Sequence, residues 1–253
     1  CIPISHSKDL VNWHIVGHAI AEPEYAHLDE LEGGRGYWAP DISYYEGRFY
    51  ITATYRLNDN GTVYRKQMIT SSDKPEGPYC EPVFLDEDGI DPSLFTDNDG
   101  RRYMILNRGA RIFELDKEAK NIISKPKLLW YGDNKRAPEG SHLLKKDGYY
   151  YIYSTCCAWP ATQWCFRSKN VFGPYEKKEV FNSDDIHQGA MIQTQSGEWW
   201  TMLMRDCGAF GRMPYLLPVT WNADWPVIGN NGVDAGTYTK PNVGVNYDKK
   251  YMP

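Results

Sequence analysis

A turn followed by an aromatic strand occurs four times in this chain, as Glu46-Gly47-Arg48-Phe49-Tyr50, Asp99-Gly100-Arg101-Arg102-Tyr103, Asp147-Gly148-Tyr149-Tyr150 and Ser196-Gly197-Glu198-Trp199-Trp200. The four glycines stand 53, 48 and 49 residues apart. Glycine supplies the positive φ that tight hairpin turns require, so each copy predicts a hairpin. A second marker follows in some units: Thr70-Ser71-Ser72-Asp73 leads to Gly77-Pro78-Tyr79, and Arg167-Ser168-Lys169-Asn170 leads to Gly173-Pro174-Tyr175. Ser7-Lys8-Asp9-Leu10, leading to Trp13, matches the same outer connection. Four strands per unit of about fifty residues is the pattern of a β-propeller. A β-sandwich does not account for the regular spacing, and no long amphipathic helix pattern supports an α/β barrel.

The count predicts an all-β, five-bladed propeller with four full blades. The first twenty residues read as the outer half of another blade, whose inner strands would precede Cys1. The chain opens on Cys1-Ile2-Pro3-Ile4 without a methionine or a signal peptide, and so reads as a fragment or processed piece. Residues 1–228 are expected to form the propeller. The glycine- and asparagine-rich stretch from Gly229 to Gly236 begins a closing segment or linker over 229–253.

Composition narrows the function. With 28 Lys and Arg against 33 Asp and Glu, the net charge of −5 offers no basic field to nucleic acid or an anionic membrane. No apolar run approaches the roughly 20 residues that span a bilayer. The six cysteines show no C-x-x-C ligand pairing. Scattered thiols in a reducing, cytoplasmic setting are favoured over a secreted one, with a disulfide at Cys165 as the alternative. The 19 Tyr and 9 Trp suit short strands and rings on which a flat ligand stacks.

In a propeller the first strand of each blade faces the central channel. The residues ahead of the four glycines are Trp38-Ala39-Pro40-Asp41, Ile90-Asp91-Pro92-Ser93, Pro138-Glu139-Gly140-Ser141-His142 and His187-Gln188-Gly189-Ala190. Asp41, Asp91, Glu139 and His187 are expected at equivalent positions, meeting in one polar funnel. Glu139, between proline and glycine, is the carboxylate best framed by rigid backbone for proton transfer. A solvated turn glutamate is the plain alternative.

These stretches carry a family resemblance. Together with His6-Ser7-Lys8-Asp9-Leu10-Val11-Asn12-Trp13, Gln193-Thr194-Gln195-Ser196-Gly197-Glu198-Trp199-Trp200 and Leu217-Pro218-Val219-Thr220-Trp221, the chain resembles family 43 glycoside hydrolases. These are five-bladed propeller enzymes that include β-xylosidases and α-L-arabinofuranosidases. The resemblance implies an exo-acting, inverting hydrolase on xylan- or arabinoxylan-derived oligosaccharides. It makes Glu139 the general acid and Asp91 the second carboxylate, which orients the acid and keeps its pKa raised by like-charge proximity. It makes Trp38 an aromatic wall of the sugar site with Ala39 beside it, and Arg212 a ligand for a substrate hydroxyl. Asp41 is a further axial carboxylate. Trp159, in the insertion Cys156-Cys157-Ala158-Trp159-Pro160, is a candidate lid residue. His187 matches a histidine beside a channel ion, often calcium and usually reached through water; the chemistry itself requires no cofactor.

One departure stands out. Inversion needs a third carboxylate to activate water from the opposite face, with the two carboxyl groups roughly 6.5–9.5 Å apart. The family carries this base on the inner strand of the first blade, which is absent from this sequence. Another chain or module completing that blade would supply it. The alternative function is a non-catalytic carbohydrate-binding propeller.

Overall fold

The computed structural model describes the chain except residues 30, 60, 133–136, 157–159 and 244–253, and the side chain at 59. Its contacts divide into two compact units. One comprises Cys1–His6 and His14–Leu129, the other Ser7–Trp13 and Trp130–Pro253.

In the first unit, β1 (Pro3–His6) and β2 (His14–His18) form a two-stranded antiparallel sheet. A single helical turn, α1 (Pro23–Ala26), follows. The first four-stranded sheet runs β3 (Gly36–Tyr45), β4 (Arg48–Asp59), β5 (Thr62–Ser72) and β6 (Val83–Leu85). The second contains β7 (Ile90–Thr96), β8 (Arg102–Asn107), β9 (Ala110–Leu115) and β10 (Lys127–Trp130).

The second unit repeats the plan. Its first sheet is β11 (Pro138–Lys146), β12 (Tyr149–Cys156), β13 (Thr162–Ser168) and β14 (Glu176–Phe181). The next is β15 (His187–Gln193), β16 (Trp199–Asp206), β17 (Arg212–Asn222) and β18 (Trp225–Ile228). Every sheet keeps its strands in chain order, which is the meander of a propeller blade. Among the described residues no helix is long and apolar enough to cross a membrane.

The four glycines sit in the hairpin turns expected of them, in two forms. Glu46-Gly47 and Asp147-Gly148 are two-residue loops with φ positive at both positions, 46° and 87° in one, 49° and 76° in the other. That is the type I′ turn, whose twist matches the strands it joins. Gly100 and Gly197 close three-residue loops instead. In each, the glycine N–H donates back at 2.9 Å to the carbonyl of Asp97 or Thr194. The β3–β4 and β11–β12 hairpins therefore turn one residue sooner than the β7–β8 and β15–β16 hairpins.

The Gly-Pro-Tyr markers are the connections from third to fourth strand. Ser72 and Ser168 accept the backbone N–H two residues on, at 3.1 and 3.0 Å. The Tyr79 and Tyr175 hydroxyls donate to the carbonyls four residues back, at 2.9 and 2.8 Å. Ser7 accepts the Asp9 N–H in the same manner between β1 and β2, at 3.2 Å. These two strands thus have the local signature of a third and fourth blade strand.

Apolar side chains fill the space between successive sheets of each unit. In the first, Tyr50, Ile69, Leu94, Met104, Leu106 and Phe113 pack as one cluster, and Ile4, Ile20, Ile51 and Met68 as another. In the second, Tyr153, Phe181, Ile186, Leu203 and Leu217 form the core. The Tyr153 hydroxyl, fully buried, is 3.2 Å from the Thr201 hydroxyl of the next sheet. Cys156 and Cys165 are buried free thiols, so the alternative of a Cys165 disulfide is not realised. The stretch after Ile228 runs back along the last sheet. The Gly229 N–H donates to Pro218, Asn242 N–H to Glu198, and Lys240 pairs with Asp9 at 2.7 Å.

Candidate active site

Each of the four inner strands begins with the same irregularity. Strand pairing jumps between Trp38 and Asp41, Ile90 and Ser93, Glu139 and His142, and His187 and Ala190. The second residue of each bulge is left-handed: Ala39 (φ 45°), Asp91 (56°), Gly140 (56°) and Gln188 (51°). A bulge with a left-handed residue bends the strand and re-aims side chains. Non-glycine residues hold that conformation only where the surroundings impose it.

This register corrects the expectation that Asp41, Asp91, Glu139 and His187 are equivalent. Glu139 and His187 share the first bulge position with Trp38 and Ile90. Asp91 occupies the second position, with Ala39, Gly140 and Gln188. Asp41 occupies the last, with Ser93, His142 and Ala190. Asp91 and Glu139 each stand nine residues before their turn glycine, and the one-residue difference between the two turns puts them at different bulge positions.

In the first unit, Trp38 and Asp41 lie on β3 opposite Thr54 and Thr52 of β4. Trp38 is half-buried, and the Arg56 guanidinium lies over its ring, 4.3 Å from the centroid. Ala39 beside it and Asp41 are also half-buried. Asp91 is buried, only 9% exposed. Its backbone N–H donates to the Thr54 hydroxyl at 3.0 Å, and the Thr52 hydroxyl donates to the carbonyl of Pro92 at 2.8 Å. The bulge carrying Asp91 therefore hangs on the strand that backs Trp38 and Asp41.

In the second unit, Glu139 is half-buried, and its carbonyl accepts from the Ser154 hydroxyl at 3.1 Å. Ser154 in turn lies 2.9 Å from the Ser141 hydroxyl. A Cβ on Gly140 would fall inside contact distance of the Gln188 side chain, so the bulge of Glu139 is packed against the bulge of His187. His187 is 9% exposed. Its Nδ1 donates to the Asp185 carbonyl at 2.8 Å, which leaves Nε2 as the acceptor of the neutral ring. The N–H of Gln188 donates to Gln163 Oε1 at 3.0 Å.

Arg212 opens β17 opposite Asp206, exposed, beyond the β16 residue that pairs with His187. The unit thus brings Glu139, His187 and Arg212 to one end of its strands. Trp159 lies outside the described residues.

Calcium takes six to eight oxygen ligands. Among the described residues no group of three or more His, Cys, Asp or Glu side chains could hold a metal.

Thr54, Gln67, Gln163 and Gln188 escaped the sequence reading. The residue seven past each turn glycine is Thr54, Asn107, Thr155 or Met204, a polar recurrence that touches Thr54 but gives no partner for it and leaves the three glutamines unmarked.

Comparison with known proteins accords with this geometry. The model of Glycosyl hydrolases family 43 matches residues 1–226. A curated relative, the non-reducing end alpha-L-arabinofuranosidase BoGH43B of Bacteroides ovatus, is 32% identical over 96% of this chain and 50% of its own. The xylan 1,3-beta-xylosidase of a Vibrio species is 27% identical, over 96% of this chain and 54% of its own. Among solved structures, the GH43 BlXynB protein from Bacillus licheniformis superposes with a TM-score of 0.87 at 41% identity, covering 97% of this chain and 53% of that one. This chain spans about half the length of the curated relatives it matches. Taken with the four meander sheets, the likeness makes the fold class a β-propeller.

Proposed function

The chain belongs to glycosyl hydrolases family 43, and on that premise we propose that the protein carrying it is an exo-acting glycoside hydrolase. Its substrates would be xylan- or arabinoxylan-derived oligosaccharides, cleaved as a β-xylosidase, an α-L-arabinofuranosidase or both. The names of its relatives support that substrate class. The observation that carries the reading is the bulge of β11, which pins the backbone of a half-buried glutamate between Ser154 and a glycine whose added Cβ would collide with the Gln188 side chain.

In the proposed reaction Glu139 gives its proton to the glycosidic oxygen as the bond to the anomeric carbon breaks. Water adds to that carbon from the opposite face and loses a proton to a general base, so configuration inverts. Asp91 is the second carboxylate, acting on the acid. Trp38 and Ala39 form the wall against which the sugar ring lies, with Asp41 beside them. Arg212 donates to a substrate hydroxyl, and Trp159 belongs to the lid. A calcium ion reached through water from His187 would add positive charge to the channel; no step depends on it. Residues 1–228 form the catalytic blades in this proposal, and 229–253 begin a closing segment or linker, of which Gly229 and Asn242 pair back onto the last sheet.

The test is hydrolysis of 4-nitrophenyl β-xyloside and α-arabinofuranoside by the intact protein and by Glu139→Gln. The reading expects turnover of at least one substrate, reduced about 10²- to 10⁴-fold in the variant. Sugar binding without turnover, unchanged in the variant, would make the protein a carbohydrate-binding propeller instead.

A further inference from the structure

We infer that Thr54 and Gln67 are positioning residues that hold Asp91 in its working conformation; this rests on the reading that Asp91 acts on Glu139. Asp91 is left-handed at φ 56°, a conformation costly to side-chain-bearing residues, though less so to aspartate than to most. The hold on it comes from the preceding sheet. The Asp91 N–H donates to Thr54 Oγ1 at 3.0 Å, and the Thr54 hydroxyl donates to Gln67 Oε1 at 3.2 Å. Gln67 Nε2 then donates to the carbonyls of Glu87 at 2.9 Å and Gly89 at 3.1 Å, in the segment that leads into Asp91.

The relay has one internally consistent direction. Both amide protons of Gln67 go to carbonyls, so its oxygen must face Thr54. The single hydroxyl proton of Thr54 goes to that oxygen, so the hydroxyl can only accept from Asp91. Thr54 and Gln67 are both fully buried. Two polar side chains in such a place cost stability unless fully paired, and these two are paired along the relay.

The other unit shows the same position used differently. Gln163 faces Thr155 across β12 and β13 as Gln67 faces Thr54 across β4 and β5. Gln163 Oε1 takes the N–H of the left-handed Gln188 directly, and its Nε2 has no partner among the described atoms. A buried glutamine thus anchors the left-handed residue of the next sheet in both units. Where that residue is the carboxylate proposed to act on the acid, a threonine is interposed and every polar atom of the pair is engaged.

Thr54→Val keeps the volume and removes the acceptor. The measurement is the pH profile of kcat/KM on xylobiose for the intact protein, together with Tm, for Thr54→Val, Thr54→Ser and Asp91→Asn. Leu106→Ala, in the neighbouring apolar core, is the destabilised control. Thr54→Val should lower kcat about tenfold and move the alkaline limb in the direction that Asp91→Asn moves it. Thr54→Ser should restore both, and Leu106→Ala should lower Tm with the limb in place. If Thr54→Val fails to fold, Gln67→Met is judged by the same criteria. A moved limb in Asp91→Asn with an unmoved one in Thr54→Val or Gln67→Met overturns the inference alone. An unmoved rate and limb in Asp91→Asn overturns the reading of Asp91 and the inference with it.

Discussion

The bulge of Asp91 and the bulge of Glu139 are built on one backbone plan and present their carboxylates from different positions. In the first, the acid itself is the left-handed residue, and its main chain is gripped by Thr52 and Thr54 of the preceding sheet. In the second, the acid stands one residue earlier, a glycine takes the left-handed turn, and Ser154 of the same sheet holds the acid's carbonyl. Strain is accepted at Asp91, where hydrogen bonds to buried hydroxyls offset it. It is avoided at Gly140, where Gln188 leaves no room for a side chain. The comparison teaches that a repeat supplies the scaffold and that the residue chosen at each bulge position sets what the scaffold displays.

The comparison breaks most sharply at Gly140. Gly140→Ala forces a methyl group against Gln188 in a left-handed conformation, and should cost about 1–3 kcal/mol of stability. Displacement of Glu139 should lower kcat on the order of 10²-fold. Thermal melts and initial rates read both. Ala39→Gly, at the same bulge position on β3, should stay within about 1 kcal/mol of the native protein. Pairing Gly140→Ala with Gln188→Ala sharpens the point: if crowding is the cause, the double variant should recover part of the lost stability, and a double variant no better than the single one would leave backbone strain as the whole effect.

Asp91→Asn tests the other bulge. Asparagine is isosteric and accepts the left-handed conformation, so the fold should be retained with a modest change in Tm, while activity falls about tenfold or more. A large drop in Tm would mean the Asp91 carboxylate serves the fold.

The smallest effect lies away from both bulges. The backbone N–H of Asn12, then Lys240 and the Asn12 side chain, hold the Asp9 carboxyl well below the usual carboxylate range. A depressed carboxyl stabilises the folded state above its unfolded pKa of about 4 and loses that contribution as pH falls further. Asp9→Asn should therefore lower Tm slightly at pH 7, and by progressively less as pH falls below about 4. A Tm difference that persists undiminished in acid would assign the effect to packing.

Much of this architecture was legible because turn chemistry is local. Gly47 and Gly148 need positive φ beside an equally left-handed Glu46 or Asp147, and the Gly-Pro-Tyr stretches mark outer connections, so blade count and strand order could be read directly. Ser7-Lys8-Asp9 was legible for the same reason. What the sequence hid was register. A bulge adds one residue without leaving a compositional trace, and Ala39, Asp91 and Gln188 are not residues that advertise a left-handed turn as glycine does. Thr54 and Gln67 were hidden differently: their partners are backbone groups some 20 to 40 residues away, which no local pattern encodes.

The central claim, that Glu139 protonates the departing sugar oxygen, is tested most directly by the leaving group. Rates of native protein and Glu139→Gln should be compared on xylobiose, whose departing oxygen needs a proton, and on 2,4-dinitrophenyl β-xyloside, whose departing phenolate does not. The account predicts a loss of about 10²- to 10⁴-fold on the first and a far smaller one on the second. Equal losses on both, or none on xylobiose, would contradict it.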